Sequence, residues 1–401
     1  MRRALVLFSL ALGASPALAQ TFPSSAGNLS IETVARGLDH PWGLAFLPDG
    51  KMLVTEMKGT LRLVTKEGVH TSVEGVPPVK TVAAQGLHDI VLDPDFARNR
   101  LIYFCYFAPP PGEPAGFWPN TFAYDRVFNL SVAERRRLRL GMESVARARL
   151  SDDETRLENV AVILEGVERR LAFAPDGTLY ATGADRFRFY NSDLSGGRSG
   201  YETNLTIRKN FAGRISRINT DGTLPKDNPF LDDPLVPPDV FAFGVRDPEG
   251  AAINPKTGEL WEVEHGPAGG DELNVIRSGR DYGWPVISYG EDYSGRPVGA
   301  GITAQAGLEQ PVYYWDPVIA PSGMAFYDAG LFPAWKGSLF VGGLASTHLA
   351  RLTLQGDRVV GEEWLLQDLG KRIRDVIVGP DGALWLLTDE ANGQVLRIAP
   401  K

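Results

Sequence analysis

A short apolar strand, a Pro-Asp-Gly-like turn and a second strand rich in β-branched and aromatic residues recur six times along this chain. The copies begin at His40 (HPWGLAFLPDGKMLVTEMKGTLRLV), Gln85 (QGLHDIVLDPDFARNRLIYFCYF), Arg169 (RRLAFAPDGTLYATGADRF), Arg246 (RDPEGAAINPKTGELWEVEHG), Pro321 (PSGMAFYDAGLFPAWKGSLFVGGL) and Arg372 (RIRDVIVGPDGALWLLTDEANGQVLRI). The turn residues are those of tight hairpins. Six copies of one hairpin unit predict an all-β fold, a six-bladed β-propeller of four-stranded antiparallel blades. Radial repetition leaves few strand edges open to another chain. A two-sheet sandwich competes, but it gives no reason for one turn to recur six times. The segment NLSIETVARG, residues 28–37, is expected to pair with the last copy and close the ring.

Residues 1–19 have the order of a secretory signal. Arg2 and Arg3 precede an apolar run that ends in Ala17-Leu18-Ala19. That run is too short to span a bilayer, with a retained anchor as the alternative reading. A mature chain of residues 20–401 is therefore expected as a single propeller domain, periplasmic or secreted, with no membrane span after signal removal. The formal charge of −8 argues against a nucleic-acid partner and suits a small-molecule one. With 43% hydrophobic residues the chain can bury a large core. The only cysteine, Cys105, excludes an internal disulfide. It lies in the apolar run RLIYFCYFA and is expected to be a buried, inert thiol.

Spacing between the copies is uneven. The largest irregularity is an insertion at about residues 109–142, opening with PPPGEPAGFWPN. Its continuation, SVAERRRLRLGMESVARARL, predicts a short helix with Ser131 as N-cap. The RRRLR run reads either as an anionic-ligand site or as a solvated helix face. A glycine-rich loop, NSDLSGGRSGYETN at residues 191–204, interrupts the third copy. Loops of this kind on one propeller face carry function, and the blades carry them.

The stretch VEHGPAGGDELNVIRSGRDYGWPVISYG, residues 263–290, places two carboxylates, Asp271 and Glu272, in glycine-rich backbone. Carboxylates with convergent main-chain carbonyls suit a hard cation. A solvated turn is the other reading of the same residues.

Taken in order, the blocks GRISRINTDGTLPKDNPF, FAFGVRDPEGAAINP, ELWEVEHGPAGGDELNVI, DYGWPVISYGEDYSG and RIRDVIVGPDG resemble the soluble quinoprotein aldose dehydrogenases. That glucose/sorbosone dehydrogenase family consists of periplasmic six-bladed propellers using pyrroloquinoline quinone (PQQ) and calcium. The resemblance runs from about Val34 to Ile398, broken mainly by the insertion. It implies calcium at Glu272 and Tyr282, the latter through its backbone carbonyl, with the Gly266–Pro267 backbone as a related candidate. It implies cofactor contacts from Arg246, Asp247, Tyr293, Arg372 and Arg374. Arginine forks match the carboxylates of PQQ, and Arg246 would stabilise charge developing at the quinone. His265 would support the calcium loop.

Three positions depart from the family pattern. The proton-accepting histidine falls on Gly166, the cofactor glutamine on Ala84 with Gln85 one place along, and a lysine near Ala345. Asp247 itself stands where the family has asparagine. His88, with Asp89 as orienting partner, and Glu168 are the candidate replacement bases. His348 could replace part of the missing positive charge. The chain thus reads as an exported PQQ- and calcium-dependent oxidoreductase acting on an aldose or related hydroxy compound. A soluble electron acceptor is expected, because there is no Cys-x-x-Cys-His haem site. The alternatives are a calcium-binding propeller that has lost dehydrogenase chemistry and, with less support, a calcium-dependent lactone hydrolase.

Overall fold

The recurring Pro-Asp-Gly turn is built the same way in three blades. At Pro48-Asp49-Gly50, the Gly50 amide bonds the Leu47 carbonyl at 2.9 Å and Asp49 Oδ1 accepts the Lys51 amide at 3.0 Å. Asp176 with Gly177, and Asp381 with Gly382, repeat both bonds. The three glycines take φ of 85°, 84° and 77°, the left-handed region that a side chain resists. Each turn folds a short inner strand back onto a fully buried second strand.

The computed structural model describes residues 21–81, 85–117, 132–138, 141–185 and 213–401. The residue 1–19 leader, Ala84, Ser131 and the 191–204 loop lie outside the described residues. Six antiparallel sheets are arranged as a propeller. Their inner strands are Pro41–Phe46, Leu87–Leu92, Leu171–Phe173, Pro248–Ile253, Pro321–Tyr327 and Ile373–Val378, which define blades 1 to 6 and touch one another in a ring. Blade 6 is closed by the N-terminal strand Leu29–Leu38, which pairs with Gly393–Pro400 from Leu29↔Pro400 to Leu38↔Gly393. The expected ring closure is therefore observed.

Apolar side chains between neighbouring blades hold the ring. Trp261, Val263 and Leu273 of blade 4 pack on Met324, Leu339 and Val341 of blade 5. Each such side chain contributes roughly 1.5–3 kcal/mol on burial. Cys105 is wholly buried between blades 2 and 3, as expected.

One expectation fails locally. Among the described residues of the inserted stretch, Val132–Leu138 is helical, and MESVARARL becomes the strand Met142–Leu150. It pairs along Leu101–Ala108, from Met142↔Ala108 to Arg149↔Leu101. Cross-strand pairing with a strand already buried on both sides outweighs its helical propensity. The described part of the RRRLR run, residues 135–138, is not simply a solvated face. Arg135 is buried and paired with Glu143 at 2.5 Å, and Arg136 pairs with Glu165, docking the helix on blade 2.

Below the propeller mouth the axis is filled. The Arg170 guanidinium donates to the Glu249 carbonyl at 2.7 Å, Asp375 Oδ1 at 2.9 Å and the Arg374 carbonyl at 3.0 Å. It also lies 3.4 Å from Asp89 Oδ1 and 4.1 Å from the Trp42 ring centroid. Blades 1, 2, 3, 4 and 6 meet at this one side chain. The open site therefore lies above it, on the face where the inner strands begin.

Candidate functional site

On that face, arginines and carboxylates alternate across the mouth. Arg372 and Arg374 both bond Asp389 Oδ2, at 3.2 and 2.8 Å. Arg374 continues to Glu249 Oε2 at 3.0 Å, and Arg169 links Glu249 Oε1 at 3.4 Å to Asp247 Oδ1 at 3.1 Å. Burial works against the Asp389 charge, but Arg374, His40 and Arg372 outweigh it and hold its pKa down at about 2. The side chains of Arg372 and Asp247 are 49% and 24% exposed, which makes them the accessible ends of the row. Beyond Asp247, Arg246 bonds the carbonyls of His265 at 2.7 Å and Gly266 at 3.0 Å and reaches the Tyr293 hydroxyl at 3.4 Å. The mouth thus gathers Arg246, Asp247, Tyr293, Arg372 and Arg374 from two blades.

The glycine-rich stretch is a folded-back hairpin. A Cβ on Gly266 would stand 2.2 Å from the Gly269 carbonyl oxygen, so only glycine fits. Asp271 is no solvated turn residue. It is buried and accepts the amides of Gly266, Ile319 and Ala320 at 2.8 Å each, tying the hairpin to the entry of blade 5. His265 supports the same junction through the Pro321 carbonyl at 2.8 Å.

Behind the hairpin, Glu262, Glu264, Glu272 and Asn274 share one face of paired strands, because Glu262 opposes Asn274 and Glu264 opposes Glu272. Asn274 Nδ2 lies 2.9 Å from Glu262 Oε1 and 3.4 Å from Glu264 Oε1 and from Glu272 Oε2. Two N–H bonds cannot serve three carboxylates. Glu262 Oε2 and Asn274 Oδ1 are buried without a partner. Burial, then mutual repulsion, pushes Glu264 well above the usual carboxylate range. Burial likewise raises Glu262 well above it and Glu272 to about 7. Hard oxygen donors crowded together, with Glu262 Oε2 and Asn274 Oδ1 left unpartnered, fit a divalent cation such as calcium. Gly266, Pro267, Glu264, Glu272 and Tyr282 line one small pocket here. The Tyr282 hydroxyl is engaged with Val275 and Arg277, which leaves only its main chain for the pocket. Sequence reading found Glu272 and passed over Glu262, Glu264 and Asn274. The signal was present as Glu-x-Glu facing Glu-x-Asn.

The site also corrects two histidine expectations. His88 does not face an open channel. It is wholly buried, its ring stacks on Trp42 at 4.7 Å, and its Nδ1 lies 2.8 Å from the Glu168 carbonyl. His348 supplies no cation to the mouth, since burial lowers its pKa and its ring stacks on Trp364. Gln85 is buried next to this region with Oε1 unpartnered. Gly166 is not a void left by a lost side chain. A Cβ there would stand 2.7 Å from Val132 Cγ2 of the inserted helix and 2.9 Å from an Arg214 guanidinium nitrogen.

For PQQ, a planar tricarboxylate, the mouth offers the guanidinium groups of Arg246 and Arg372, with the Arg374 Nε buried and unpartnered. That donor set fits the cofactor. Three carboxylates already in the row, Asp247, Glu249 and Asp389, moderate its positive charge.

A family model described as glucose/sorbosone dehydrogenase matches residues 38–397. The chain is 34% identical to the aldose sugar dehydrogenase YliI of Escherichia coli K12 over 99% of its own length and 97% of that protein. The crystal structure of the soluble aldose sugar dehydrogenase of Escherichia coli in the apo-form superposes with a TM-score of 0.78 at 33% identity, covering 93% of this chain and 100% of that one. A PQQ-bound aldose sugar dehydrogenase from Streptomyces coelicolor superposes at 0.66 with 26% identity, covering 92% of this chain and 98% of that one.

Proposed function

Given that the chain belongs to the glucose/sorbosone dehydrogenase family, we propose that it is an exported PQQ- and calcium-dependent dehydrogenase of an aldose or related hydroxy compound. The observation that carries this reading is the convergence of Arg246, Arg372 and Arg374 on one mouth, with Arg246 lining the same small pocket as the crowded carboxylates Glu264 and Glu272. Arg246, Arg372, Arg374, Tyr293 and Gln85 would hold the cofactor. Calcium would be held at Glu272, with the main chain of Tyr282, Gly266 and Pro267 and the added carboxylates Glu262 and Glu264. PQQ, when bound, supplies the two-electron acceptor for oxidation of the sugar carbon. Electrons then leave through a soluble acceptor. Among the described residues no helix is long and apolar enough to cross a membrane.

The chain must also move a proton, and the position that matches the family base is glycine. His88 and Glu168 are fully buried. Asp247 is partly exposed, beside Arg246, held by Arg169 at 3.1 Å and 4.0 Å from His265 Nδ1. Asp247 therefore takes the hydroxyl proton in this reading, while Arg246 stabilises the negative charge that builds up.

The second reading, a calcium-binding propeller without turnover, is favoured by the packing of Val132 against Gly166. One experiment separates the two. Metal-free protein is reconstituted with calcium and PQQ, and dye reduction is followed with a panel of aldoses. Wild-type turnover is expected, and Asp247→Asn should lose about 10²–10⁴-fold in kcat with PQQ binding retained. PQQ binding without wild-type turnover establishes the second reading. Undiminished turnover by Asp247→Asn removes Asp247 as the base.

A further inference from the structure

Three aromatic side chains stand among the exposed large apolar residues: Tyr293 at 66%, Trp364 at 53% and Tyr314 at 46%. All three lie on the mouth face. Tyr293 touches Arg246, Tyr314 pairs with Glu272 at the start of its strand, and Trp364 pairs with Ala350 near the start of Leu349–Gln355. Trp364 is fixed despite its exposure. Its Nε1 donates to Glu362 Oε1 at 2.9 Å, and one face of the indole stacks on the buried His348 ring at 4.7 Å and 20°. The Glu362 carboxylate also accepts Trp315 Nε1 at 2.9 Å and the Tyr313 hydroxyl at 2.8 Å, both from blade 4. One carboxylate thus gathers three aromatic donors from two blades and holds an indole plane with its second face open to water.

A large aromatic plane held open to water forgoes the burial that usually places tryptophan. What such a plane offers is a flat apolar face of the size of a pyranose ring, whose axial C–H bonds form an equally flat face. The platform is also joined to the mouth. Arg372 Nη1 bonds the Leu344 carbonyl at 3.1 Å, and the Gly343 amide bonds the His348 carbonyl at 2.9 Å. The segment 344–348 therefore runs from the cofactor arginine to the ring beneath Trp364.

We propose that Trp364, backed by His348 and oriented by Glu362, is an outlying sugar-binding subsite that takes a distal ring of a gluco-oligosaccharide whose reducing end lies at the mouth. The fate of that reducing end rests on the dehydrogenase reading, whereas binding of the distal ring does not.

The test is calorimetric titration of the full chain, without PQQ, using cellotriose and maltotriose as probes. At least one trisaccharide should bind, Trp364→Ala should weaken it tenfold or more, and Trp364→Phe should fall between. Trp364 is half exposed and Glu362 keeps Trp315 and Tyr313, so Trp364→Ala is expected to melt at the wild-type temperature. Binding of neither trisaccharide by the wild type, or equal binding by Trp364→Ala, overturns the subsite. Turnover of glucose without trisaccharide binding sinks this proposal alone. Trisaccharide binding without any turnover sinks the dehydrogenase reading alone.

Discussion

Glu168 shows how far a single side chain here departs from its ordinary chemistry. Burial raises its pKa to about 8, against the opposing influence of Arg169, Gln85 and Arg135 and with Asp247 adding to the rise. A carboxyl whose folded pKa lies above its unfolded value favours the fold at low pH. That contribution is complete below about 4.5 and is lost as pH climbs through about 8, a loss on the order of a few kcal/mol. Wild-type melting temperature should therefore fall between pH 5 and pH 9. Glu168→Gln should flatten that fall, as read by calorimetric scans at several pH values. A parallel fall in both proteins would place the sensitivity elsewhere. Asp89 is raised to about 6 by burial and by Asp375, with Arg170 opposing. The axis thus keeps acidic groups that are costly to ionise, and Arg170 makes the cost bearable for Asp89 and Asp375 by touching both.

The inserted helix Val132–Leu138 is the element that most changes the site. It docks through the buried Arg135–Glu143 pair and lays Val132 over Gly166. Gly166 itself takes φ of 89°, where a Cβ is strained in addition to clashing. Restoring a histidine there should not restore a base. Gly166→His is expected to destabilise the protein by roughly 1–3 kcal/mol from backbone strain alone and to leave turnover no higher than wild type. Denaturant unfolding with dye-linked activity checks both. A gain in turnover at unchanged stability would mean that the helix yields and that the pocket remains open to the older chemistry.

At the scale of the whole molecule, stability depends on a ring that closes only once. Leu29–Leu38 forms the outermost long strand of blade 6 and contributes the buried side chains Leu29, Ala35 and Leu38. Phe22 and Leu29 sit in the same cluster as Leu349, Trp335 and Phe340 of blade 5. Removing residues 21–38 would expose the full edge of Gly393–Pro400 and this cluster together. Burial at roughly 1.5–3 kcal/mol per large side chain is a large part of the ~5–15 kcal/mol that holds a typical domain folded. The truncated chain should lose its near-ultraviolet dichroism and run as aggregate on size exclusion. A folded monomer would show that five blades and a partial sixth are self-sufficient.

Much of this architecture was written in local pattern. Turn triplets at Asp49, Asp176 and Asp381 encode hairpins because a short carboxylate and a left-handed glycine suffice to make the turn, whatever lies around it. The blade count and the closing strand follow from repetition. The carboxylate pair Asp271 and Glu272 was visible too, but their separate duties were not. Asp271 acts on amides from blade 5, far along the chain, and Glu272 acts with residues selected by strand register. Similarly, MESVARARL has helical propensity in isolation and is a strand only because Leu101–Ala108 lies beside it. Whether His88 faces a channel or a wall, and whether Gly166 leaves a hole or is filled, depends on Trp42, Glu168 and Val132, which reach them only through the closed ring. The sequence by itself determined the units and their number, because these rest on contacts between near neighbours. The tertiary structure alone decided which charges meet at the mouth and which side chains remain accessible there, because those contacts join residues of different blades.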